Sequence, residues 1–310
     1  MSAGIRALFL IVPLVLFAVW GALHVPTPDD AGRFPGTHQD ISLDAMPDFP
    51  RWASAELPDF ASYQDVNEKK DAFFSFLYPR IVLANSRILI ERQYLETLSR
   101  KEQLSESEKR WLEEQAERLR VDEEPGSDEL FRRLRNRLDV IPPSLVMAQA
   151  ANESAWGTSR FAKKGNNLFG QWCFSKGCGI VPKQRGEGKS HEVADFATPY
   201  RSIRSYIQNL NRHPSYQLVR DLRKKARDEG RLASGSTLAA GLSLYSERGE
   251  DYIKEIRSMI RFNKLARYDQ AFRDAVFSNG TKALAQLASS GKETALLPSQ
   301  AKADSTFNEG

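Results

Sequence analysis

The stretch Ser144-Leu-Val-Met-Ala-Gln-Ala-Ala-Asn-Glu-Ser-Ala-Trp156 constrains this chain more than any other. It is apolar or small on nearly every face of the helix it spells. Such a helix has no side to offer water and must run through the interior with other elements around it. Ile141-Pro142-Pro143 supply the start, since prolines are tolerated in a first turn, and Gly157 supplies the stop. Gln149, Asn152, Glu153 and Trp156 are the exceptions. Their spacing of three and four predicts one shared face.

A glutamate in such a helix needs a reason, because a buried carboxylate without a partner is costly. Glu153 falls in the last turn, where the negative end of the helix dipole opposes a second negative charge. Trp156 and the surrounding alanines are expected to strip water from it. Both effects favour the acid form that a general acid in glycoside cleavage must hold. The competing reading is a buried Glu153 paired with an arginine such as Arg160.

Downstream, Asn166-Asn-Leu-Phe-Gly170 is a turn-rich loop that sets an aromatic ring beside polar amides, groups suited to a sugar's face and hydroxyls. A strand from Ile180 to Gln184, a turn from Arg185 to Lys189 and an alternating strand from His191 to Phe196 predict a β-hairpin. Cys173 and Cys178 flank a four-residue loop. In an oxidising compartment they form a small disulfide worth roughly 2 kcal/mol on the chain-entropy model. A cysteine nucleophile paired with His191 is the competing use. The histidines His24, His38, His191 and His213 are scattered and supply no zinc set, so no metal and no other cofactor is expected.

Gln149-Ala-Ala-Asn-Glu-Ser-Ala-Trp-Gly157 followed by Asn166-Asn-Leu-Phe-Gly170 resembles the signature of glucosaminidase-type cell-wall hydrolases, the mannosyl-glycoprotein endo-β-N-acetylglucosaminidase-like family. Gly170-Gln-Trp-Cys-Phe, the Gly186-Glu-Gly-Lys turn and His213-Pro-Ser-Tyr216 are similar to its Bax-type branch, a Gram-negative periplasmic or inner-membrane-associated group. The match runs from about residue 65 to 270 and is densest from 139 to 220. It implies an α+β, mainly α, lysozyme-like fold with a helical lobe and a small β-hairpin lobe beside a glycan cleft. It implies an endo-β-N-acetylglucosaminidase that cuts a β-1,4 bond in peptidoglycan with Glu153 as general acid. Gln149, Trp156, Asn167, Phe169 and Trp172 are the expected sugar-site residues. Tyr245, before the last core helix, matches a tyrosine needed in the cleft, with Tyr252 second; packing is the other role open to both. A second carboxylate is expected on the hairpin of many relatives, and Glu187, Glu192 and Asp195 are available there. The matching strand carries Lys183 and Arg185 instead, which leaves Glu187 as candidate or as a solvated turn residue. A water positioned by Tyr245, or the substrate's own acetamido group or hydroxyl, is the alternative. Muramidase, lytic transglycosylase and non-catalytic peptidoglycan-binding scaffold therefore stay open.

The ends set the location. After Arg6, the run from Ala7 to Leu23 carries no charge, and Asp29 and Asp30 come soon after it. Residues 1–25 read as a signal anchor or a cleaved signal peptide. The positive-inside rule puts the chain from about Pro26 onward outside the cytoplasm, hence a periplasmic protein, held to the inner membrane if the segment stays. Residues 26–62, rich in proline, read as an extended stalk. Residues 63–138 read as helical, with Pro79 expected to kink or divide a helix from Val66 to Leu98 and Ser105 and Glu108 forming a capping box. Residues 139–275 read as the catalytic domain and 276–310 as a disordered tail. Lys and Arg number 44 against 40 Asp and Glu. That weak bias suits anionic wall polymer, and without zinc-finger, phosphate-loop or GxGxxG spacing nucleic acid is not an expected partner. The run Arg220 to Arg227 reads as a solvated helix face or as a contact for anionic polymer or phospholipid. The helical part before residue 139 is a candidate docking arm for an unidentified cell-envelope protein.

Overall fold

The fold is organised on one long helix, α1 (Val66–Leu98). The computed structural model describes residues 46–183, 185, 190–277 and 280–298. The apolar N-terminal segment, the first part of the expected stalk and the turn bearing Glu187 lie outside them. Asp65 opens α1 by accepting the N–H groups of Asn67 and Glu68 at 2.7 and 2.9 Å, donors with no partner inside the helix. The helix runs unbroken through Pro79, where the sequence predicted a kink or a division. Proline costs a helical hydrogen bond, but every side chain from Leu77 to Glu91 is buried, and packing on all sides offsets that loss. The helix as a whole is long and apolar enough to cross a membrane, yet the rest of the protein covers nearly all of its most apolar window. It is a core helix.

The polar groups buried along α1 tie the other elements to it. Asn85 donates to Ile141 O at 2.8 Å and accepts from Ile141 N at 3.3 Å. Glu91 pairs with Arg118 at 2.7 Å and Arg204 at 3.0 Å. Those arginines come from α2 (Glu106–Leu119) and α6 (Pro199–Arg212). The capping box forms at the start of α2 as the sequence predicts, Ser105 Oγ accepting from Glu108 N and Glu108 accepting from Ser105 N. α3 (Asp128–Arg137) leads into α4 (Pro143–Glu153), whose side chains from Pro143 to Ala151 are all buried.

α4 packs against α1 and against α8 (Gly235–Ala239), α9 (Glu250–Phe262) and α10 (Ala266–Phe277). Gly235 is what lets α8 come so close: a Cβ there would stand 2.1 Å from Ser144 Oγ. Asp269 closes the junction, accepting from Ser144 N, Ser144 Oγ and Gly235 N at 2.8, 2.7 and 2.9 Å. α5 (Arg160–Gly165) and α7 (Gln217–Asp228) complete the set before the C-terminal segment.

The small lobe is a three-stranded antiparallel sheet in the order β1-β3-β2. β1 (Trp172–Cys173) and β2 (Gly179–Ile180) both pair with β3 (Glu192–Ala194), so Trp172 and Ile180 flank Val193. The expected hairpin is there as β2 and β3, shorter than predicted and joined by a third strand. Two residues are too few to show an alternating pattern, which hides β1 in the sequence.

Both flanks of the domain depart from expectation. Residues 46–62, assigned to the stalk, lie against the helical lobe in two 3₁₀ turns, Arg51–Ser54 and Phe60–Ser62. Phe60 is buried, its ring 5.2 Å from that of Phe73. The expected disordered tail is a helix at its start, α11 (Gly280–Ser289), packed along α1. Leu284, Ala288 and Leu296 are buried there, Ser290 O accepts from Trp52 Nε1 at 2.7 Å, and Glu293 pairs with the fully buried Arg80. A buried guanidinium needs its partner, so this segment belongs to the domain.

Candidate active site

Four parts of the chain meet at the C-terminal end of α4. Glu153 is its last residue and half-buried. Its Oε1 accepts the Tyr252 hydroxyl at 2.7 Å and the Asn152 amide at 3.3 Å. Behind Tyr252, one turn back on α4, Gln149 Nε2 donates to the same hydroxyl oxygen at 2.9 Å, and Gln149 Oε1 accepts from Tyr206. An amide nitrogen only donates, so the Tyr252 oxygen is the acceptor in that bond. Its own proton is thereby directed at Glu153. Tyr206 from α6, Gln149 from α4 and Tyr252 from α9 are all buried.

Aromatic rings extend this chain. Tyr245 stacks on Tyr252 with centroids 5.4 Å apart and planes 8° apart. Its hydroxyl donates to Phe169 O at 3.0 Å, and Phe169 stacks on Tyr206 at 4.1 Å. Burial, with the Glu153 charge and its hydrogen bond added, holds the Tyr252 hydroxyl far above the ordinary tyrosine range. Burial does the same to Tyr206 and Tyr245, and pushes Tyr216 up to about 12. All four are neutral hydroxyl groups at any working pH.

The structure brings Glu153, Gln149, Tyr245, Tyr252 and Phe169 together and gives several expected sugar contacts other work. Gln149 and Phe169 are buried within the scaffold of the site. Asn167 is buried with its amide fully used: it donates to Gln171 O and Ala194 O at 2.9 and 3.0 Å and accepts from Phe169 N and Gln171 N at 3.3 and 3.0 Å. It fastens the loop to β3, and its amide is not free for a sugar. Trp156 has left the helix. Ser154 Oγ bonds Ala150 O and receives Gly157 N, and Ala155, Trp156 and Gly157 come next with φ of 50°, 59° and 76°. Its indole lies 5.8 and 5.3 Å from the rings of Phe73 and Phe74. The shared face predicted from spacing therefore ends at Glu153. A Cβ at Gly157 would meet Phe60 at 2.6 Å, so the turn needs glycine on both counts.

Arg160, the possible partner of Glu153, is turned to the β-lobe, with Nη1 3.4 Å from Val181 O. Trp172 sits on that lobe, exposed, its ring 4.3 Å from the His191 ring. Glu187 lies outside the described residues. Glu192 is buried and accepts from Gly177 N and Gly179 N at 3.1 and 2.9 Å, bonds that hold its carboxyl below the usual range. It braces the lobe. Cys173 and Cys178 form a disulfide beside it. Cys173, Cys178 and Glu192 cluster closely enough for a metal, but both sulfurs are bonded to each other and both carboxylate oxygens are taken. Asp195 is exposed beyond β3. Tyr206 is the site residue that sequence reasoning missed; its spacing with Ile203, Ile207 and Leu210 reads only as packing.

The family model for mannosyl-glycoprotein endo-beta-N-acetylglucosaminidase matches residues 128–265. Protein bax of Escherichia coli (strain K12) is 32% identical over 212 residues, which are 68% of this chain and 76% of that protein. The catalytic domain of the autolysin Auto from Listeria monocytogenes aligns over 57% of this chain and 96% of that one, with a TM-score of 0.33 and 19% identity. That last likeness is too loose to bear on the fold.

Proposed function

Because this chain belongs to the Bax-type glucosaminidase family, we propose that it is a glycoside hydrolase of peptidoglycan with a lysozyme-like fold. In this reading it cuts the β-1,4 bond on the reducing side of N-acetylglucosamine. One observation carries the assignment: Glu153 ends a buried helix with Oε1 fixed by the Tyr252 hydroxyl, itself oriented by Gln149 and Tyr206. With Oε1 held, Oε2 gives its proton to the glycosidic oxygen as the C–O bond breaks. Glu153 then becomes a carboxylate, and the Tyr252 hydrogen bond becomes charge-assisted and roughly twice as strong. An interaction that strengthens as charge develops lowers the barrier instead of only binding the substrate.

The nucleophile in this reading is the sugar's own acetamido oxygen, which attacks C1 and is displaced by water afterwards. Glu192 supports this, since its carboxylate is committed to the Gly177 and Gly179 amides. Glu187 is the rival carboxylate. The disulfide supports an oxidising, periplasmic location, with residues 1–25 as the inner-membrane anchor. The test is to digest purified peptidoglycan with the protein and identify the new chain ends by mass spectrometry. Reducing-end N-acetylglucosamine supports the reading. Reducing N-acetylmuramic acid or its 1,6-anhydro form makes it a muramidase or lytic transglycosylase. Absence of product from folded, wall-binding protein makes it a scaffold.

A further inference from the structure

The turn that follows Glu153 leans on a residue far from it in sequence. Ala155 and Trp156 take φ of 50° and 59°, ahead of Gly157 at 76°. Left-handed backbone is unfavourable for any residue with a Cβ, and two in a row persist only where the surroundings impose them. The competing conformation is the one the sequence spells, a helix running on through Trp156. It would bring Trp156 round to the face of Glu153, three residues before it, with the indole directed back over the acid.

Packing from the N-terminal flank favours the turn instead. Phe60 is 1% exposed and closes on Gly157 so tightly that a Cβ there would stand 2.6 Å from its ring. The same ring meets Phe73 edge-on at 5.2 Å. Phe73 and Phe74 in turn carry the Trp156 indole at 5.8 and 5.3 Å. Phe60, Phe73, Trp156 and Gly157 are thus one packed unit, and it needs the turn in its left-handed form. Phe60 is held in place by its neighbour Asp59, which accepts from Ala61 N at 3.2 Å and pairs at 3.0 Å with Lys163 of α5, the helix just past the turn. None of this flank lies within the family-matched residues 128–265. We infer that Phe60 is a positioning residue for the acid. By packing on Gly157 it holds Ala155 and Trp156 in the turn, which ends α4 at Glu153 and keeps the indole off the carboxyl. This deepens the hydrolase reading and rests on Glu153 as its acid.

The test turns on Ala155, whose side chain is exposed. Glycine there eases the left-handed backbone and disfavours the continued helix without removing a buried contact. The full-length chain is prepared in detergent with fluorine-labelled tryptophan, and Trp156→Phe identifies which of the five tryptophan signals is Trp156. Phe60→Ala is expected to move that signal, since the indole leaves the Phe73 and Phe74 rings. It is also expected to lower kcat on sacculi about 10–100-fold, with KM within about twofold. Phe60→Leu keeps most of the bulk and is expected to stay within about threefold of the parent. Adding Ala155→Gly to Phe60→Ala is expected to return the signal and restore kcat to within about threefold, while Tm stays low because the cavity remains. If Phe60→Ala does not fold, Gly157→Ala attacks the same contact from the other side and is expected to give the same two effects. A signal unmoved in folded Phe60→Ala overturns the assignment. So does a moved signal with kcat within about twofold of the parent, or a kcat that Ala155→Gly fails to restore. No product from the parent, with the signal still moved and returned, sinks the hydrolase reading and leaves the hold on the turn standing.

Discussion

Replacing Gln149 with leucine tests whether the buried relay behind Glu153 is a mechanism or only packing. Leucine fits an apolar helix of this kind and has equal helix propensity. It leaves the Tyr206 hydroxyl without its acceptor and the Tyr252 oxygen without its donor, both on side chains that are 1% exposed. A buried polar group stripped of its partner costs about 1–3 kcal/mol. Tyr252 still donates to Glu153, so the Tyr206 orphan dominates and the expected loss is about 2 kcal/mol. For a domain of this size that lowers Tm by about 4–8 °C. Tyr206→Phe alone strands Gln149 Oε1 and costs a similar amount. The double variant removes both partners and is expected to cost clearly less than the sum of the two singles. Urea unfolding of the four proteins reads this coupling directly. Activity separates the two bonds. Gln149→Leu keeps the Tyr252–Glu153 bond but removes the amide that fixes the Tyr252 oxygen from behind, and is expected to lower kcat about 10–100-fold. Tyr206→Phe keeps the Gln149–Tyr252 bond and is expected to cost less than tenfold. Additive stabilities together with unchanged kcat in Gln149→Leu would refute the relay.

The same structure sets three other outcomes. Burial alone would raise the Asp139 carboxyl, but the hydrogen bonds of Arg227 and the charges of Arg223, Arg227 and Arg92 outweigh it and hold it well below the usual range. The stability it contributes is complete above about pH 5 and is lost as pH falls through its folded-state value. Asp139→Asn is expected to cost about 3–5 kcal/mol at pH 7 and to flatten the acid limb of a Tm-against-pH curve; an unchanged limb argues against the cage. Ending the chain at residue 279 removes Leu284, Ala288 and Leu296 from the core and strands Arg80. That is worth on the order of 5 kcal/mol, and a truncated protein melting with the parent would show that α11 is not part of the domain. Glu187→Gln is expected to leave kcat within about tenfold if the acetamido group is the nucleophile, because a lost catalytic carboxylate costs about 100-fold or more.

The parts of the fold that were legible in the sequence are those whose signal is local. The buried run of α4, its proline start and the Ser105–Glu108 capping box each write their structure within a few residues. What was not legible depends on partners far along the chain. α11 holds small residues and no aromatic ring, so it resembles a solvated tail until the groove of α1 and the buried Arg80, 213 residues before Glu293, are in view. Trp156 reads as helical because Gly157 is the obvious stop; the backbone leaves the helix sooner, turning to positive φ at Ala155 and Trp156 while Ser154 Oγ takes the Gly157 N–H. At the site, Glu153 could be found as the lone acid on an apolar helix. Spacing alone offered no way to rank Tyr252 against Tyr245. The ranking needs α9 docked on α4, where Tyr252 meets Glu153 and Tyr245 reaches the Phe169 carbonyl.

Whether Glu153 is the acid is tested by turnover of sacculi by Glu153→Gln beside the parent. Release of reducing ends is measured at matched binding and matched Tm. Glutamine can still accept the Tyr252 hydrogen bond but has no proton of comparable acidity to give. The variant's kcat is expected to fall about 100- to 10,000-fold with binding to sacculi retained. Turnover within tenfold of the parent would contradict it and move the acid elsewhere.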